Sequence, residues 1–275
     1  MIDNSNMQQE SKTKKQYRTI QDKTRATTPT DELYSAMQTA YQHFNTALFD
    51  NSLPSILFTT QRQHGVMGYF APERWTSTTG KHCHEIAINP LYVGRATLIE
   101  LMQTLVHEMV HCWQHCYGKP SRRAYHNQEW AKKMIAVGLM PSDTGEPGGK
   151  QVGQKMLDYP LAKGKFVIES ARLLSEKTFT LPWIDRMAVN TASTSTPALD
   201  NTLTAAMSGL DESLIAQLTA SLQSLPGNAL IAPPANNPKK TKVKYTCPGC
   251  AINVWGKGAL AISCDNCQLT LLAVE

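Results

Sequence analysis

The sequence lacks the long apolar segments that mark membrane and secreted proteins. No stretch approaches the ~18 consecutive apolar residues that a membrane-spanning helix needs. The first thirty residues are polar and contain no apolar run of the kind found in a signal peptide. These absences predict a cytoplasmic protein without a membrane partner, associated with the nucleoid if the source is bacterial. A chain of 275 residues can hold one medium domain and a small one, and a hydrophobic content of 41% is enough for an ordinary core.

Two signatures of nucleotide chemistry are also missing. The Gly-rich stretch at 142–156 does not match GxxxxGK[ST], because Gln151 follows Lys150. We therefore expect a surface loop near the active site there, and not a phosphate-binding loop. The HxE and PCxxC pattern of zinc deaminases is absent, which disfavours a nucleobase hydrolase.

The most informative residues that are present form the pattern His-Glu-x-x-His, at His107, Glu108 and His111. Side chains four residues apart lie on the same face of a helix, so the two histidines can bind one metal ion from successive turns. Glu108 lies one residue further round the helix, where its carboxylate can reach a metal-bound water without binding the metal. We expect a catalytic zinc with Glu108 as general base on a zinc-bound water.

The residues around this pattern predict the helix that it requires. Apolar side chains recur at three- and four-residue steps from about Ala96 to Tyr117. Gly118 and the nearby Pro120 are expected to end the helix.

The third metal ligand can be argued by elimination. The long metzincin motif needs Gly and His where this chain has Gln114 and Tyr117, so that family is excluded. Glu129 is the only acidic residue within 112–140, and it is the weaker candidate for a thermolysin-like ligand. His126 lies at the start of a second helical pattern, which can return to the first helix. Three histidines with one open position are typical of a catalytic zinc.

Four of the seven cysteines form a second metal motif. The pairs Cys247/Cys250 and Cys264/Cys267 are separated by thirteen residues, which predicts a structural zinc in a short zinc ribbon. A module of about thirty residues buries too little surface to fold alone, so the metal must supply much of its stability. A disulfide or redox role is disfavoured in a cytosolic chain.

Several segments in this order resemble a SprT-like zinc-metalloprotease domain, the family that includes the Spartan-type DNA-dependent proteases. The matching stretches are AYQHFNTALFDNSLPSILF at 40–58, HEIAINPLY at 84–92, TLVHEMVHCWQH at 104–115 and YHNQEWAKKMIAVGLMPS at 125–142. The resemblance implies that His107, His111 and His126 bind zinc and that Glu108 is the catalytic base. It also implies proteolysis of proteins on DNA, and the ribbon is similar to those of some SprT-like proteins.

We predict an α+β fold with four parts. These are a disordered basic arm at 1–30, a zincin-like metalloprotease domain at 31–188, a flexible linker at 189–241 with one short helix, and the zinc ribbon at 242–275. The metalloprotease domain should have helices packed on a small mixed sheet.

Apolar patterning predicts the strands of the metalloprotease domain, which are Ile56–Thr60, Gly65–Phe70, His82–Asn89, Lys163–Glu169 and Phe179–Trp183. In the family, the third of these borders the cleft, where an extended substrate would pair with its edge.

Basic residues collect in three places along the chain. They are the N-terminal arm with Lys12, Lys14, Lys15, Arg18, Lys23 and Arg25; the turn with Lys119, Arg122 and Arg123; and the ribbon edge with Lys239, Lys240, Lys242 and Lys244. Beside the last cluster, Tyr245 and Trp255 would suit stacked bases, so we expect DNA as a partner, single-stranded DNA above all. The alternative is an ordinary solvated surface.

The metal motifs predict a zinc endopeptidase, and the resemblance implies that it acts on DNA-associated or DNA-crosslinked proteins, a role in DNA repair. One alternative is a non-catalytic, nucleic-acid-binding adaptor that contains zinc. Another is a general cytoplasmic metalloprotease that does not depend on DNA. The sequence assigns no role to His82, His84, His115 or Cys112, and no oligomeric state.

Overall fold

The computed structural model describes residues 27–63, 65–94, 96–177, 179–185, 201–222 and 242–274. The chain divides into two compact units, residues 1–230 and residues 231–275. The basic residues predicted for the N-terminal arm, together with Lys239 and Lys240, lie outside the described residues. Among the described residues, no helix is both long and apolar enough to cross a membrane.

The first unit mixes helices and strands, which confirms the predicted α+β class. Its helices are α1 (Pro29–Phe49), α2 (Pro90–Val93), α3 (Leu98–Tyr117), α4 (Gln128–Val137), α5 (Lys165–Lys177), α6 (Asn201–Ala206) and α7 (Glu212–Thr219). Its strands are β1 (Ile56–Thr60), β2 (Gly68–Thr76), β3 (His82–Ile88), β4 (Leu139–Ser142) and β5 (Leu157–Pro160). Helix α1 begins inside the segment predicted as a disordered arm, because Thr28 and Asp31 form a capping box there.

The main sheet of this unit has the order β1-β3-β2, with β1 parallel and β2 antiparallel to β3. The prediction that His82–Asn89 offers a free edge to the cleft is therefore wrong, because β3 is paired on both sides. The strand packed against α3 at the edge of the sheet is β2. It is longer than the predicted Gly65–Phe70 and contains a register shift between Ala71 and Trp75.

Helix α3 forms as its sequence predicts. Thr97 caps its first turn: its Oγ1 accepts the Glu100 N–H at 3.4 Å, and the Glu100 carboxylate accepts the Thr97 N–H at 2.7 Å. Gly118 ends it. Its core-facing stripe consists of Leu98, Ile99, Met102, Leu105, Val106, Met109, Val110 and Cys112, all buried. This stripe fixes α3 rigidly between the sheet and the other helices.

Helix α4 follows α3 after a short connection and leads directly into the hairpin β4-β5. Asn127 caps α4, its side-chain oxygen accepting the Trp130 N–H at 3.0 Å. Gly138 ends the helix with a φ of 100°, and an added Cβ would lie 2.7 Å from the Phe166 nitrogen. The antiparallel pairing of β4 with β5 then brings Asp158 back towards α3.

The predicted strands at Lys163–Glu169 and Phe179–Trp183 are wrong. The first segment belongs to helix α5, and the second has no regular secondary structure. The apolar run around Phe166 suggests a strand, but Ile168 is exposed while the helically spaced apolar residues are buried: Phe166, Val167, Ala171, Leu173 and Leu174. Because the buried residues follow helical spacing, this segment forms a helix and not the strand that the short apolar run suggested.

The predicted linker at 189–241 also differs from expectation. Its described part, 201–222, contains two helices instead of one. Four of its apolar side chains are buried in the core of the first unit, namely Ala206, Met207, Leu218 and Leu222. Its end is fastened to the start of α3, since the Leu222 N–H donates to the Ala96 carbonyl at 3.1 Å. The segment 201–222 is therefore an integral part of this unit.

The second unit is built from short strands around a very small core. The strands are β6 (Val243–Thr246), β7 (Asn253–Gly256), β8 (Ser263–Cys264), β9 (Leu269–Thr270) and β10 (Leu272–Val274). They form a sheet of order β10-β6-β7 and a separate pair β8-β9. Within 242–274, the buried cluster consists of Tyr245, Cys247, Cys264 and Leu271, so cysteine sulfur makes up a large part of the interior.

Candidate metal and catalytic site

Helix α3 presents the first two histidines as the spacing predicts. The imidazoles of His107 and His111 lie on one face, with ring centroids 5.1 Å apart. Glu108 lies beside them and is only 7% exposed. Two candidate ligands and one carboxylate are thus grouped on a rigid, buried helix.

His126 joins this pair from the residue before the α4 cap. Its Nε2 lies 3.1 Å from the His111 Nε2. The loop at 142–156 holds it, since the His126 N–H donates to the Gly153 carbonyl at 2.7 Å and Nδ1 lies 3.1 Å from the same oxygen. The loop therefore borders the site, as expected from the sequence.

The three histidines form a cluster that could hold a metal ion. One ligand atom from each of His107, His111 and His126 lies within 4.8 Å of the others. Trp130, from the first turn of α4, packs against all three rings, at 4.3 Å from the His126 ring centroid. The indole thus closes the cluster on the core side.

The charges of the three imidazoles are set by burial and by neighbouring groups. Burial, and then the neighbouring imidazoles, hold the pKa of His111 well below its ordinary value. Burial and His107 lower the pKa of His126 to about 4. Burial also opposes a charge on His107, but the hydrogen bond to Asp158 and the charges of Glu108 and Asp158 outweigh it and raise its pKa.

This donor set fits zinc. His111 and His126 point Nε2 atoms at each other, and with lowered pKa values both rings are neutral at pH 7. Two facing nitrogens can share only one proton, whereas a divalent cation accepts both lone pairs. Neutral imidazole nitrogens are common zinc ligands, and three of them leave a position open for catalysis.

Asp158, at the second position of β5, was not found from the sequence. Its Oδ2 accepts the His107 Nδ1–H at 2.8 Å, and its side chain is only 5% exposed. The residue lies 51 positions after His107, and only the return of the β4-β5 hairpin brings it to α3. No spacing rule in the sequence points to it.

Glu108 lies against the backbone of β2. Burial raises the pKa of its carboxyl group, and both His107 and a hydrogen bond from the Phe70 backbone oppose that shift. An added Cβ on Gly68 would lie 3.5 Å from the Glu108 Cγ, so the strand passes very close to the side chain. The carboxyl group is thereby poised to take up a proton more readily than an exposed glutamate.

Glu129, the weaker ligand candidate, has a different position. Its Oε2 accepts the Lys119 N–H at 2.7 Å and the Gln114 amide at 2.8 Å. These hydrogen bonds, the backbone one first, lower its pKa and fix the turn after α3. Glu129 is not among the residues that cluster as candidate ligands.

The other histidines do not form a metal site among the described residues. His82 is exposed, with 60% of its side chain accessible. His84 accepts the Glu73 N–H on Nδ1 at 2.9 Å, so its Nε2 carries the proton and cannot offer a lone pair. Its ring packs against Phe70 and His115, with centroids 5.5 and 5.1 Å away.

The cysteines outside the ribbon behave as packing residues. Burial raises the pKa of Cys112, which lies fully inside the core, and the pKa of the half-buried Cys116. Cys83 is also half-buried. A fully buried thiol with a raised pKa, such as that of Cys112, is a poor nucleophile.

The second unit gathers the four predicted zinc-ribbon cysteines. The sulfur atoms of Cys247, Cys250, Cys264 and Cys267 lie within 4.8 Å of one another, an arrangement that fits a zinc ribbon. Backbone hydrogen bonds from Cys250 and Gly249 outweigh burial and lower the pKa of Cys247 to about 7, which favours the thiolate that binds metal.

The residues predicted to contact nucleic acid divide into two groups. Tyr245 is 3% exposed, donates its hydroxyl hydrogen to the Lys257 carbonyl and accepts the Leu260 N–H. Its ring is packed inside the ribbon and cannot stack on a base, so this part of the prediction is wrong. Trp255, by contrast, is 61% exposed and pairs across the strands with Lys244. Lys242 is exposed at the start of β6.

Comparisons with known proteins agree with this site. Residues 37–146 match the model of the SprT-like family. Over 47 residues the chain is 45% identical to a Salmonella typhimurium protein described as an uncharacterized protein in the mucB 3' region. That match covers 17% of this chain, and the chain spans 64% of the length of that relative. No solved structure matches, so the zincin-like assignment remains a prediction.

The family match indicates a metalloprotease-type function, since the SprT-like family is associated with zinc metallopeptidases. The matched residues include the whole histidine cluster and Glu108. They exclude Asp158 and the zinc ribbon. The resemblance seen in the sequence is thus confirmed by the match to the SprT-like family model over residues 37–146.

Proposed function

We propose that this protein is a zinc-dependent endopeptidase that acts on DNA-associated or DNA-crosslinked proteins. The observation that carries the peptidase assignment is the buried Glu108 carboxyl group next to three convergent imidazoles. A purely structural metal site has no use for such a carboxyl group, because Glu108 is not one of the clustered candidate ligands. A hydrolase needs it to move protons.

In this proposal His107, His111 and His126 hold the zinc. When bound, the metal supplies a positive charge that polarises a scissile carbonyl group and lowers the pKa of water to about 7. The remaining steps belong to the protein. Glu108 takes a proton from the attacking water and passes it to the leaving amine, and its environment keeps the proton affinity of the carboxyl group high.

Strand β2 is the proposed docking edge for the substrate. It is an edge strand in the order β1-β3-β2, and its Phe70 N–H is directed at Glu108. A substrate in extended conformation can therefore pair with β2 and present a peptide bond beside the base. Main-chain pairing of this kind selects little for sequence, which suits an enzyme that degrades varied proteins.

Association with DNA is proposed for the surface of the second unit. It is supported by the exposed Trp255 with Lys244 beside it on the ribbon sheet, and by the exposed Lys242. An exposed aromatic ring next to lysines can stack on an unpaired base while the ammonium groups contact phosphates. We therefore favour single-stranded DNA as the partner.

The test is cleavage of a DNA-binding protein by the zinc-loaded full chain, with and without single-stranded DNA. We expect Glu108→Gln to retain zinc and to lose about 10²- to 10⁴-fold in cleavage rate. The matched control is Glu146→Gln, which removes an exposed carboxylate from the loop that borders the site and should leave the rate unchanged.

Each alternative corresponds to a distinct result of this experiment. Full activity of Glu108→Gln would contradict the mechanism. Cleavage that is indifferent to DNA would identify a general metalloprotease. DNA binding without any cleavage by the wild type would favour the adaptor.

A further inference from the structure

We propose that Asp158 is a positioning residue for His107, and that strand β5 is therefore part of the metal site. This inference rests on the proposed function, since it takes His107 as a zinc ligand. Asp158 lies outside the matched SprT-like segment 37–146, so the family match does not assign it. Its role follows from the geometry of one hydrogen bond and of the hairpin that delivers it.

The hydrogen bond determines which nitrogen of His107 is available. A neutral imidazole carries one N–H, and here Nδ1 donates it to the Asp158 Oδ2 at 2.8 Å. The lone pair is then on Nε2, the nitrogen left for the cluster with His111 and His126. A carboxylate acceptor fixes the ring orientation and makes the opposite nitrogen a stronger donor to a metal.

Asp158 is itself held in place at two successive turns of α3. The Gln103 amide donates to the Asp158 backbone carbonyl at 2.6 Å, one turn before His107. The other side of β5 is supported by helix α6, and the Lys163 N–H donates to the Ala206 carbonyl at 3.4 Å. The carboxylate position is thus set by the hairpin and by the segment 201–222.

The environment of Asp158 argues against a merely stabilising ion pair. Its Oδ1 is buried and has no hydrogen-bond partner within the described part of the chain. A buried carboxylate with one oxygen unsatisfied is costly, and packing alone would be served better by an apolar side chain. The single bond that the carboxylate makes is the one to a candidate metal ligand.

The first test measures zinc affinity in the full chain by competition with a chromophoric chelator. We expect Asp158→Asn and Asp158→Ala to weaken the histidine site about 10- to 100-fold. The matched control is again Glu146→Gln, which removes one charge from the same hairpin loop and should change the affinity less than twofold. Cobalt substitution monitors the cysteine site separately, because only thiolates give thiolate-to-cobalt absorption.

The second test reads which nitrogen of the neutral His107 ring carries the hydrogen in the metal-free chain, at a pH above the raised pKa of His107, using histidines labelled with ¹⁵N and long-range NMR correlations. We expect the wild type to carry hydrogen on Nδ1. In Asp158→Asn the amide can instead donate to Nδ1, so the population should move to the other tautomer, with hydrogen on Nε2. A residue that only stabilises the fold would not change this signal.

Wild-type zinc affinity in both Asp158 variants, or hydrogen on Nε2 in the wild-type protein, would overturn the positioning role. Failure of the proposed function gives a different result. In that case the wild-type histidine site binds no zinc, and the tautomer of His107 still decides whether Asp158 orients the ring.

Discussion

Gly68 lies where strand β2 comes close to helix α3 and its Glu108 side chain. A Cβ added there would lie 2.9 Å from the Ala87 carbonyl oxygen and 3.1 Å from the Thr104 Cγ2. The carbonyl belongs to the central strand and cannot move without disturbing the sheet. The absence of a side chain at Gly68 therefore keeps β2 against the carboxyl group of Glu108.

We expect Gly68→Ala to lower the free energy of unfolding of the first unit by about 1–3 kcal/mol, because the methyl group overpacks this contact. Cleavage should also fall, since β2 would move away from Glu108. Urea denaturation and rate measurements test both effects. The tolerated control is Lys132→Ala, which shortens an exposed side chain on helix α4 of the same unit. Equal stability of both variants would contradict the close approach.

Helix α7 lies within the segment that was predicted to be a flexible linker, yet it packs on the core of the first unit. Leu218 is fully buried against the core of the first unit, whereas its neighbour Gln217 is exposed. We expect Leu218→Ala to reduce the free energy of unfolding by about 2–5 kcal/mol, the usual effect of a cavity in a core. Gln217→Ala should change it by less than about 0.5 kcal/mol. A neutral Leu218→Ala in chemical denaturation would restore the linker interpretation.

The sheet β10-β6-β7 has one face on which a base of single-stranded DNA could stack. Lys244 lies opposite both Trp255 and Val274, so the three side chains share this face with the exposed Leu272. We expect Trp255→Ala to weaken single-stranded DNA binding about 5- to 150-fold, the loss of one stacked base. Fluorescence anisotropy measures this.

The control for that variant is Ile252→Ala, which removes an exposed apolar side chain outside the three strands. Its affinity for DNA should match that of the wild type. Equal losses in both variants would mean that Trp255 contributes general hydrophobic surface and does not stack.

At the scale of the whole molecule, we expect the two units to depend on metal to different degrees. The first has an extensive apolar core, while the second buries little beyond Tyr245, Leu271 and cysteine sulfur. We expect chelation of zinc to remove hydrogen-exchange protection from 242–274, because metal binding there supplies the folding free energy. Helices α1 and α3 should keep their protection. Persistent protection of 242–274 after complete zinc removal would contradict this prediction.

Residue spacing in the sequence correctly predicted the features that depend on interactions between residues close in sequence. The four-residue step of His107 and His111 needs only a helix, and the apolar stripe of α3 and its cap supply that helix. The two-residue spacing within each cysteine pair likewise places both sulfur atoms close enough to bind one metal ion. The strand predicted at Lys163–Glu169 was wrong because burial, which decides between helix and strand for a short apolar run, depends on distant residues.

The sequence by itself determined the α+β class, the three histidines and glutamate of the site, and the four-cysteine module, because each depends on residue type and short-range periodicity. The tertiary structure alone decided that β2 and not β3 is the edge beside Glu108, that Tyr245 is buried, and that 201–222 packs on the core. It also brought Asp158 to His107 across 51 residues. The physical reason is that strand order, burial and contacts between distant residues are set by how the chain packs as a whole.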